Sequence, residues 1–321
     1  MLGQNDAQRL AAEIASRYGL GRLAALSGPV ARGEMGQVWR LTTANGAWAL
    51  KESFDPPPRE AVDADAAYQD AVIAAGVPMP AVVRTADGHV QISVETVTGS
   101  VSLRLYEWVD LLPRDPRLDP ETVGAIVATI HRVEHHGTSP LDPWFTEPVG
   151  ADSWDELVRA TTDEQAPFAS ALAAVRDELV ALESLLEAPR RLQTCHRDLF
   201  ADNVLRSPRG SICVIDWEES GLADPSQELG LVLFEFSCGV PERARALYDS
   251  YRAAGGPGRV ERPADFSMVI AQLGHIGELS CRRWLDPSHA AAREHNAARV
   301  EEFVGQPVTR ALIDQLLAAI S

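Results

Sequence analysis

The chain has 321 residues, 45% of them hydrophobic and 23% charged, which is enough for a buried core in each of two lobes and too apolar for a disordered chain. Its 29 basic against 46 acidic residues leave a net charge of −17, which sets most of the surface against nucleic-acid backbones and anionic membranes. No apolar run is long enough to span a bilayer, the start lacks a signal core, and the four cysteines form no CxxC pair, so a cytoplasmic protein with buried thiols is expected.

Leu10, Ile14 and Tyr18 follow Asn5 or Asp6 at helical spacing, which predicts a first helix over 6–18 with one of those two as N-cap and Gly19 as its stop. From 25 to 109 short β-branched and aromatic runs alternate with turn residues. They read as strands over 25–31, 37–43, 47–52, 81–85, 89–95 and 101–108, with hairpin turns at Asn45-Gly46 and Asp87-Gly88. The Ala-rich stretch 59–75, with Val62, Ala66, Tyr68 and Val72, is a helix inserted into this antiparallel sheet and ended by Gly76-Val77-Pro78. After a Pro- and Asp-rich link over 111–120, helices dominate. Asp119-Pro120 opens a helix over 121–135. Ser153 with Glu156 and Thr162 with Gln165 read as capping boxes, the second before a long segment to Glu187. Two short strands near 203–206 and 211–216 flank a Ser-Pro-Arg-Gly turn, and helices resume at 225–237, 241–254, 264–285, 288–304 and 307–320. The expected fold class is α+β, with a small antiparallel-sheet lobe over 1–109 and a larger, mainly helical lobe over 110–321.

The chemistry concentrates in residues 194–218, where His196-x-Asp198 is followed by Asn203 and then by Asp216 at the end of the apolar run ICVID. Phosphoryl transfer needs a carboxylate for the hydroxyl proton, oxygen ligands for Mg²⁺ and a cation on the remaining phosphates. Asp198, Asn203 with Asp216, and Lys51 supply these in that order. Lys51 is notable in itself, because the other 28 cations are all arginine. A compact ammonium survives a bias towards arginine where the guanidinium fork fits badly.

With these residues the sequence resembles the kinase-like phosphotransferases, and most closely the aminoglycoside phosphotransferase family of small-molecule kinases, from the loop near residue 31 to the helix after 225. The resemblance implies a bilobal protein-kinase-like fold that binds ATP, with GTP as the alternative nucleotide, together with Mg²⁺. It implies Asp198 as catalytic base, and Asn203 and Asp216 as metal ligands. Lys51, in WALKE, resembles the lysine that holds the α- and β-phosphates. The family pairs that lysine with a helix acid, for which Asp65 is the best match and Glu60 the reserve. The run LRLYEWVD resembles the inter-lobe hinge, so backbone groups of Glu107 and Val109 are expected at the adenine edge.

The phosphate loop departs from the family pattern: in Ala31-Arg32-Gly33-Glu34-Met35-Gly36 only Gly33 and Gly36 remain of the glycines. Asp216-Trp217-Glu218 stands where protein kinases carry Asp-Phe-Gly, and Glu228 follows Asp216 by only twelve residues, too few for a peptide-docking segment. A small-molecule hydroxyl acceptor is therefore favoured over a protein. By the resemblance His196 shapes the catalytic loop; Arg197 beside it reads as orienting the loop, with neutralising a neighbouring acid or meeting phosphate as alternatives, and Glu228, at the start of a helix, as anchoring it from behind. His131 and the pair His135-His136 have no acid or cysteine at ligand spacing and read as satisfied or solvated histidines. Asp202, beside Asn203, reads as a loop acid, with a third metal ligand as the alternative. Glu218, Glu219, Glu235, Glu278 and Asp286 either line an acceptor cleft or are solvated surface acids.

Residues 1–109 carry 12 acids and 9 bases, and residues 110–321 carry 34 acids and 20 bases. That surplus favours a cationic acceptor such as an aminoglycoside or a basic peptide antibiotic, beside the plainer reading of an acidic surface that aids solubility. A metabolic kinase of the same fold, acting on a sugar, choline or another amino alcohol, or homoserine, shares every ATP-side residue. A nucleotide-binding protein without catalysis is the remaining alternative, and the oligomeric state stays open.

Overall fold

The computed structural model describes residues 2–22, 24–33, 35–135, 137 and 140–321, with residues 4–6 described by backbone alone; the expected Asn5 or Asp6 cap side chains, Glu34 and His136 lie outside this description. In chain order the elements are α1 (Gln4–Arg17), β1 (Ala25–Arg32), β2 (Gly36–Thr43), β3 (Gly46–Ser53), α2 (Arg59–Ala74), β4 (Val82–Val83), β5 (Gln91–Thr96) and β6 (Gly99–Glu107). Then follow α3 (Pro120–His131), α4 (Ala151–Asp163), α5 (Ala169–Glu183), β7 (Gln193–Cys195), β8 (Val204–Arg206), β9 (Ile212–Val214) and β10 (Gly221–Ala223). The chain ends with α6 (Pro225–Ser237), α7 (Pro241–Ala253), α8 (Ser267–Leu285), α9 (Arg293–Gly305) and α10 (Arg310–Ile320).

These elements form two units, one made of the chain up to Arg114 together with Asp202–Glu218, the other of Asp115–Ala201 and Glu219–Ser321. In the first, an antiparallel sheet runs in the order β1-β2-β3-β6, and β4 and β5 lie one after the other along the far side of β6. Alternation along β2, β3 and β6 turns Trp39, Leu41, Leu50, Leu103 and Leu105 into one core with Leu10 and Ile14 of α1. The apolar stripe of α2 buries Val62 and Ala66 against Val82 and Val90. The β8–β9 hairpin belongs to this unit, tied by the Val214 N–H to the Pro78 carbonyl and by the Leu112 N–H to that of Arg206.

Local departures from the sequence reading have local causes. Helix α1 starts two residues early on Gly3, and Gly19, at φ +66°, is its stop as expected. Thr43 pairs with Gly46, so the first tight turn is Ala44-Asn45 rather than Asn45-Gly46. Asp87-Gly88 makes a tight turn without a hairpin, because the nine-residue β6 offers its edge to β4 at Tyr106 and Leu105 and then to β5 from Arg104 onward. The hairpin turn is Val97-Thr98, where the Thr96 hydroxyl accepts from the Thr98 N–H and donates to the Gly99 carbonyl.

In the helical unit α3 packs on α7 through Gly124, where a Cβ would fall 2.2 Å from the Leu247 carbonyl oxygen. Asp119 caps α3 as expected. The two expected capping boxes do not form: Ser153 lies inside α4 and Thr162 at its end. Glu183 of α5 takes over the first cap, accepting from the Val149 and Gly150 N–H groups and from the Trp154 indole. Strands β7 and β10 pair with each other and are too short, at three residues each, to show a period in sequence.

Candidate active site

Of the expected site residues, Gly33, Gly36, Lys51, Asp65, Glu107, Val109, Asn203 and Asp216 lie in the sheet unit and Asp198 in the helical one. Strand β3 holds Lys51 in register between Val38 of β2 and Arg104 of β6. Its ammonium Nζ lies 2.7 Å from Asp216 Oδ1 and 2.9 Å from Glu218 Oε2. Burial pulls the ammonium down, and the Asp216 and Glu218 charges outweigh it and hold Lys51 above the usual lysine range. Asp65 is not at this cation; it lies 3.8 Å from the buried Arg104 guanidinium, which is also 3.6 Å from Glu218 Oε1. Glu60 is exposed on the first turn of α2.

Asp216 sits just past β9 in the left-handed region at φ +61°, an uncommon and costly conformation for a residue with a Cβ. The ladder explains how it is held: Val204 pairs with Val214, and the Ile215 N–H donates to the Asn203 carbonyl at 2.9 Å. Asn203 and Asp216 thus flank one hydrogen-bonded rung. Both offer hard oxygen donors, and the Asp216 side chain is 44% exposed, so the donor set fits Mg²⁺.

The two glycines of the loop between β1 and β2 differ. A Cβ on Gly36 would fall 2.2 Å from the Glu52 carbonyl oxygen, so β3 itself demands glycine there. A Cβ on Gly33 meets nothing within 4 Å, and its N–H closes the loop onto the Gly36 carbonyl at 2.9 Å. At the end of β6 the Glu107 N–H is engaged by the Ala81 carbonyl, whereas among the described residues the Val109 N–H has no hydrogen-bond acceptor.

In the helical unit β7 delivers the chain into His196-Arg197-Asp198. His196 is fully buried and its Nδ1 accepts from the Asp198 N–H at 3.3 Å. Arg197 adopts φ +67°; its guanidinium lies 4.3 Å from the centre of the Phe145 ring and donates to the Glu219 carbonyl. A Cβ on Gly221 would sit 2.6 Å from that guanidinium carbon, so any larger residue in β10 would have to push the guanidinium aside. The Arg197 N–H donates to Glu228, which is fully buried and bonded at 2.6 Å to His131 Nε2. Burial pushes the Glu228 carboxyl up, but the His131 hydrogen bond and charge, with the Arg197 N–H, hold it below the usual range. His131 Nδ1 meets the Tyr251 hydroxyl at 2.9 Å. His131 is therefore a satisfied core histidine, although Cys195 and Glu228 do stand near it, with all three ligand atoms within 4.8 Å of one another. Burial pushes the Cys195 thiol well up.

Gln272 was not legible as a site residue, and Glu235, read as a cleft-lining or solvated acid, is neither. Gln272 of α8, 3% exposed, donates its amide to Asp198 Oδ1 at 3.0 Å. Glu235 of α6 accepts from the Ala201 N–H at 3.1 Å, three residues after Asp198. The signal for both was a polar residue inside an apolar helical run. The remaining acids named from sequence have local partners. Glu278 meets Arg282 at 2.9 Å and His275 at 3.4 Å, and Asp286 caps the turn after α8 through the Ser288 N–H. Asp202 lies 3.6 Å from Arg114. On the same side of α8 as Gln272, His275 stacks on Trp144 at 5.2 Å between ring centres.

No helix among the described residues is long and apolar enough to cross a membrane. No curated protein matches the sequence. Among solved structures, a spectinomycin phosphotransferase determined with ADP and spectinomycin superposes with a TM-score of 0.69 at 14% identity, covering 98% of each chain. An aminoglycoside phosphotransferase from Alicyclobacillus acidocaldarius superposes at 0.63 with 17% identity, covering 100% of this chain and 96% of its own. A microcompartment-associated aminopropanol kinase superposes at 0.56 with 19% identity, covering 97% and 99%. At such identities the likeness is one of fold, the protein-kinase-like fold of small-molecule phosphotransferases. Residues 28–266 match the model of the phosphotransferase enzyme family, APH, and with most of its length inside that match the chain belongs to this family.

Proposed function

We propose that the protein transfers the terminal phosphoryl group of ATP, with Mg²⁺, to a hydroxyl of a small amine-bearing molecule. The observation that carries the reading is the 2.7 Å pairing of the chain's single lysine, on β3, with Asp216 at the end of the β8–β9 hairpin. Asn203 and Asp216 would hold Mg²⁺, which supplies charge neutralisation on the phosphates when bound. Lys51 grips the phosphates that are not transferred, and the loop backbone at Gly33 and Gly36 covers them. The Glu107 carbonyl and the Val109 N–H take the adenine edge. Asp198 orients the acceptor hydroxyl and accepts its proton as the new O–P bond forms, with Gln272 fixing the carboxylate. Most of the catalysis is positioning and charge stabilisation.

The acid surplus of residues 110–321 supports a cationic acceptor. The named relatives, which bind spectinomycin or act on aminopropanol, point the same way. Dependence on ATP suits a cytoplasmic location. ADP release should be followed with ATP and with GTP across aminoglycosides, macrolides, basic peptide antibiotics, choline, aminopropanol, homoserine and hexosamines. One amine-bearing group should stimulate turnover, and Asp198→Ala should abolish it while ATP still binds. Stimulation by none of them, or undiminished turnover by D198A, would falsify the assignment.

A further inference from the structure

Lys51 and Arg104 face each other across the β3–β6 ladder, an arrangement in which like charges repel. Arg104 is 2% exposed, so its charge has to be matched inside the protein. Glu218 lies between the two cations, with Oε2 2.9 Å from Lys51 Nζ and Oε1 3.6 Å from Arg104 Nη1. On the other flank Asp65 of α2 is 3.8 Å from the same Arg104 nitrogen. We propose that Glu218, rather than an acid of α2, is the positioning residue that orients Lys51 for phosphate, and that Arg104 both steadies Glu218 and engages Asp65. The proposal rests on the reading of Lys51 as the phosphate-binding lysine.

Asp216 serves Lys51 less well once it ligates a divalent cation, because the cation draws on the negative charge that Lys51 would otherwise have to itself. Glu218 remains. Its side chain is 17% exposed and stands on the short turn Trp217–Glu219, whose buried Trp217 meets Tyr68 edge-on at 5.8 Å. The acid that orients the lysine and the acid that meets the metal therefore ride on one turn, two residues apart. Lysine orientation is set by that turn, and α2 bears on it at second hand, through Asp65 on Arg104 and through Tyr68 against Trp217.

The single lysine makes a direct test. Protein labelled with [¹³Cε]lysine gives one lysine methylene signal, from Lys51, with no nucleotide needed. An ammonium clamped by two carboxylates should show two inequivalent Hε protons; E218Q, which leaves Asp216 as the one carboxylate on Lys51, should narrow their separation, and D65N should leave it as in wild type. MgATP affinity is then measured for each variant. E218Q should weaken it by about tenfold, the value of one charge-assisted hydrogen bond, and D65N by clearly less. An E218Q lysine signal like that of wild type overturns the proposal. So does MgATP binding that is unchanged or tighter in E218Q, the sign expected if Glu218 merely repelled phosphate, and so does a larger loss in D65N. If wild-type protein fails to bind MgATP, the phosphotransferase reading falls, and the lysine signal still decides what Glu218 does. Should the Arg104 charge, left with Asp65 alone, keep E218Q from folding, E218Q/R104Q removes both charges and is expected to show the same narrowing and the same loss.

Discussion

Replacing His131 with leucine keeps most of the side-chain volume and removes the ring that bonds Glu228 at 2.6 Å. The carboxylate is fully buried and keeps the Arg197 N–H and the Cys195 thiol, with His196 nearby. Losing one charge-assisted bond in such surroundings costs about 3 kcal/mol, between the worth of that bond and the cost of breaking a buried pair. The melting temperature should fall by on the order of 10 °C. The pH dependence fixes the sign. In the native protein the Glu228 carboxyl is held below its ordinary 4.5 despite burial. A depressed carboxyl stabilises the fold above its unfolded value and loses that contribution only as pH falls through the folded one, so it contributes evenly between about pH 8 and 5.5. In the variant burial dominates, the folded value rises above the unfolded one, and the destabilisation present at about pH 8 shrinks towards 5.5 as the carboxyl takes up its proton. Urea unfolding across that window measures both. A penalty below about 1 kcal/mol at the alkaline end, or one that ignores pH, refutes the view of His131 as the group that keeps this anchor charged.

Gln272→Leu removes the donor to Asp198 Oδ1, so kcat should drop by about tenfold with KM little changed, and the acid limb of the pH–rate profile should move upward; an unshifted profile means the amide does not act on the carboxylate. Gly36→Ala should destabilise the sheet unit by about 3 kcal/mol because β3 backbone must move, while Gly33→Ala should stay within about 0.5 kcal/mol, as read by denaturant midpoints. A lysine-directed nucleotide label should modify no side chain but Lys51, and MgATP should protect it; labelling there that MgATP does not block would remove the anchor of the functional reading.

Much of this site was written locally and so was legible. Lys51 stands alone among arginines, and Asp216 ends an apolar run at a fixed spacing from Asn203. Strand alternation placed the sheet and the inserted helix. What escaped the sequence were partnerships made by register. Asp65 is at the right distance along the chain to face a lysine, yet the β3–β6 pairing puts Arg104 opposite Lys51, and that guanidinium meets Asp65. Ser153 and Glu156 have the spelling of a cap, but Glu183 arrives from another helix and supplies the acceptors. Gln272 went unnamed and Glu235 was read as a cleft or surface acid, because each is a single polar residue in an apolar helix and only folding shows which carboxylate or backbone group it meets.

The unequal glycines of the loop at residues 33–36 carry a consequence for descent. Gly36 is held by the carbonyl of Glu52, a constraint of the sheet that persists whether or not a nucleotide is ever bound, whereas open space surrounds the Cβ position of Gly33. Descendants that abandon phosphate chemistry should go on inheriting glycine at 36 and drift freely at 33. Loss at the first position, not retention at the second, would then mark a lineage in which this loop has ceased to handle ATP.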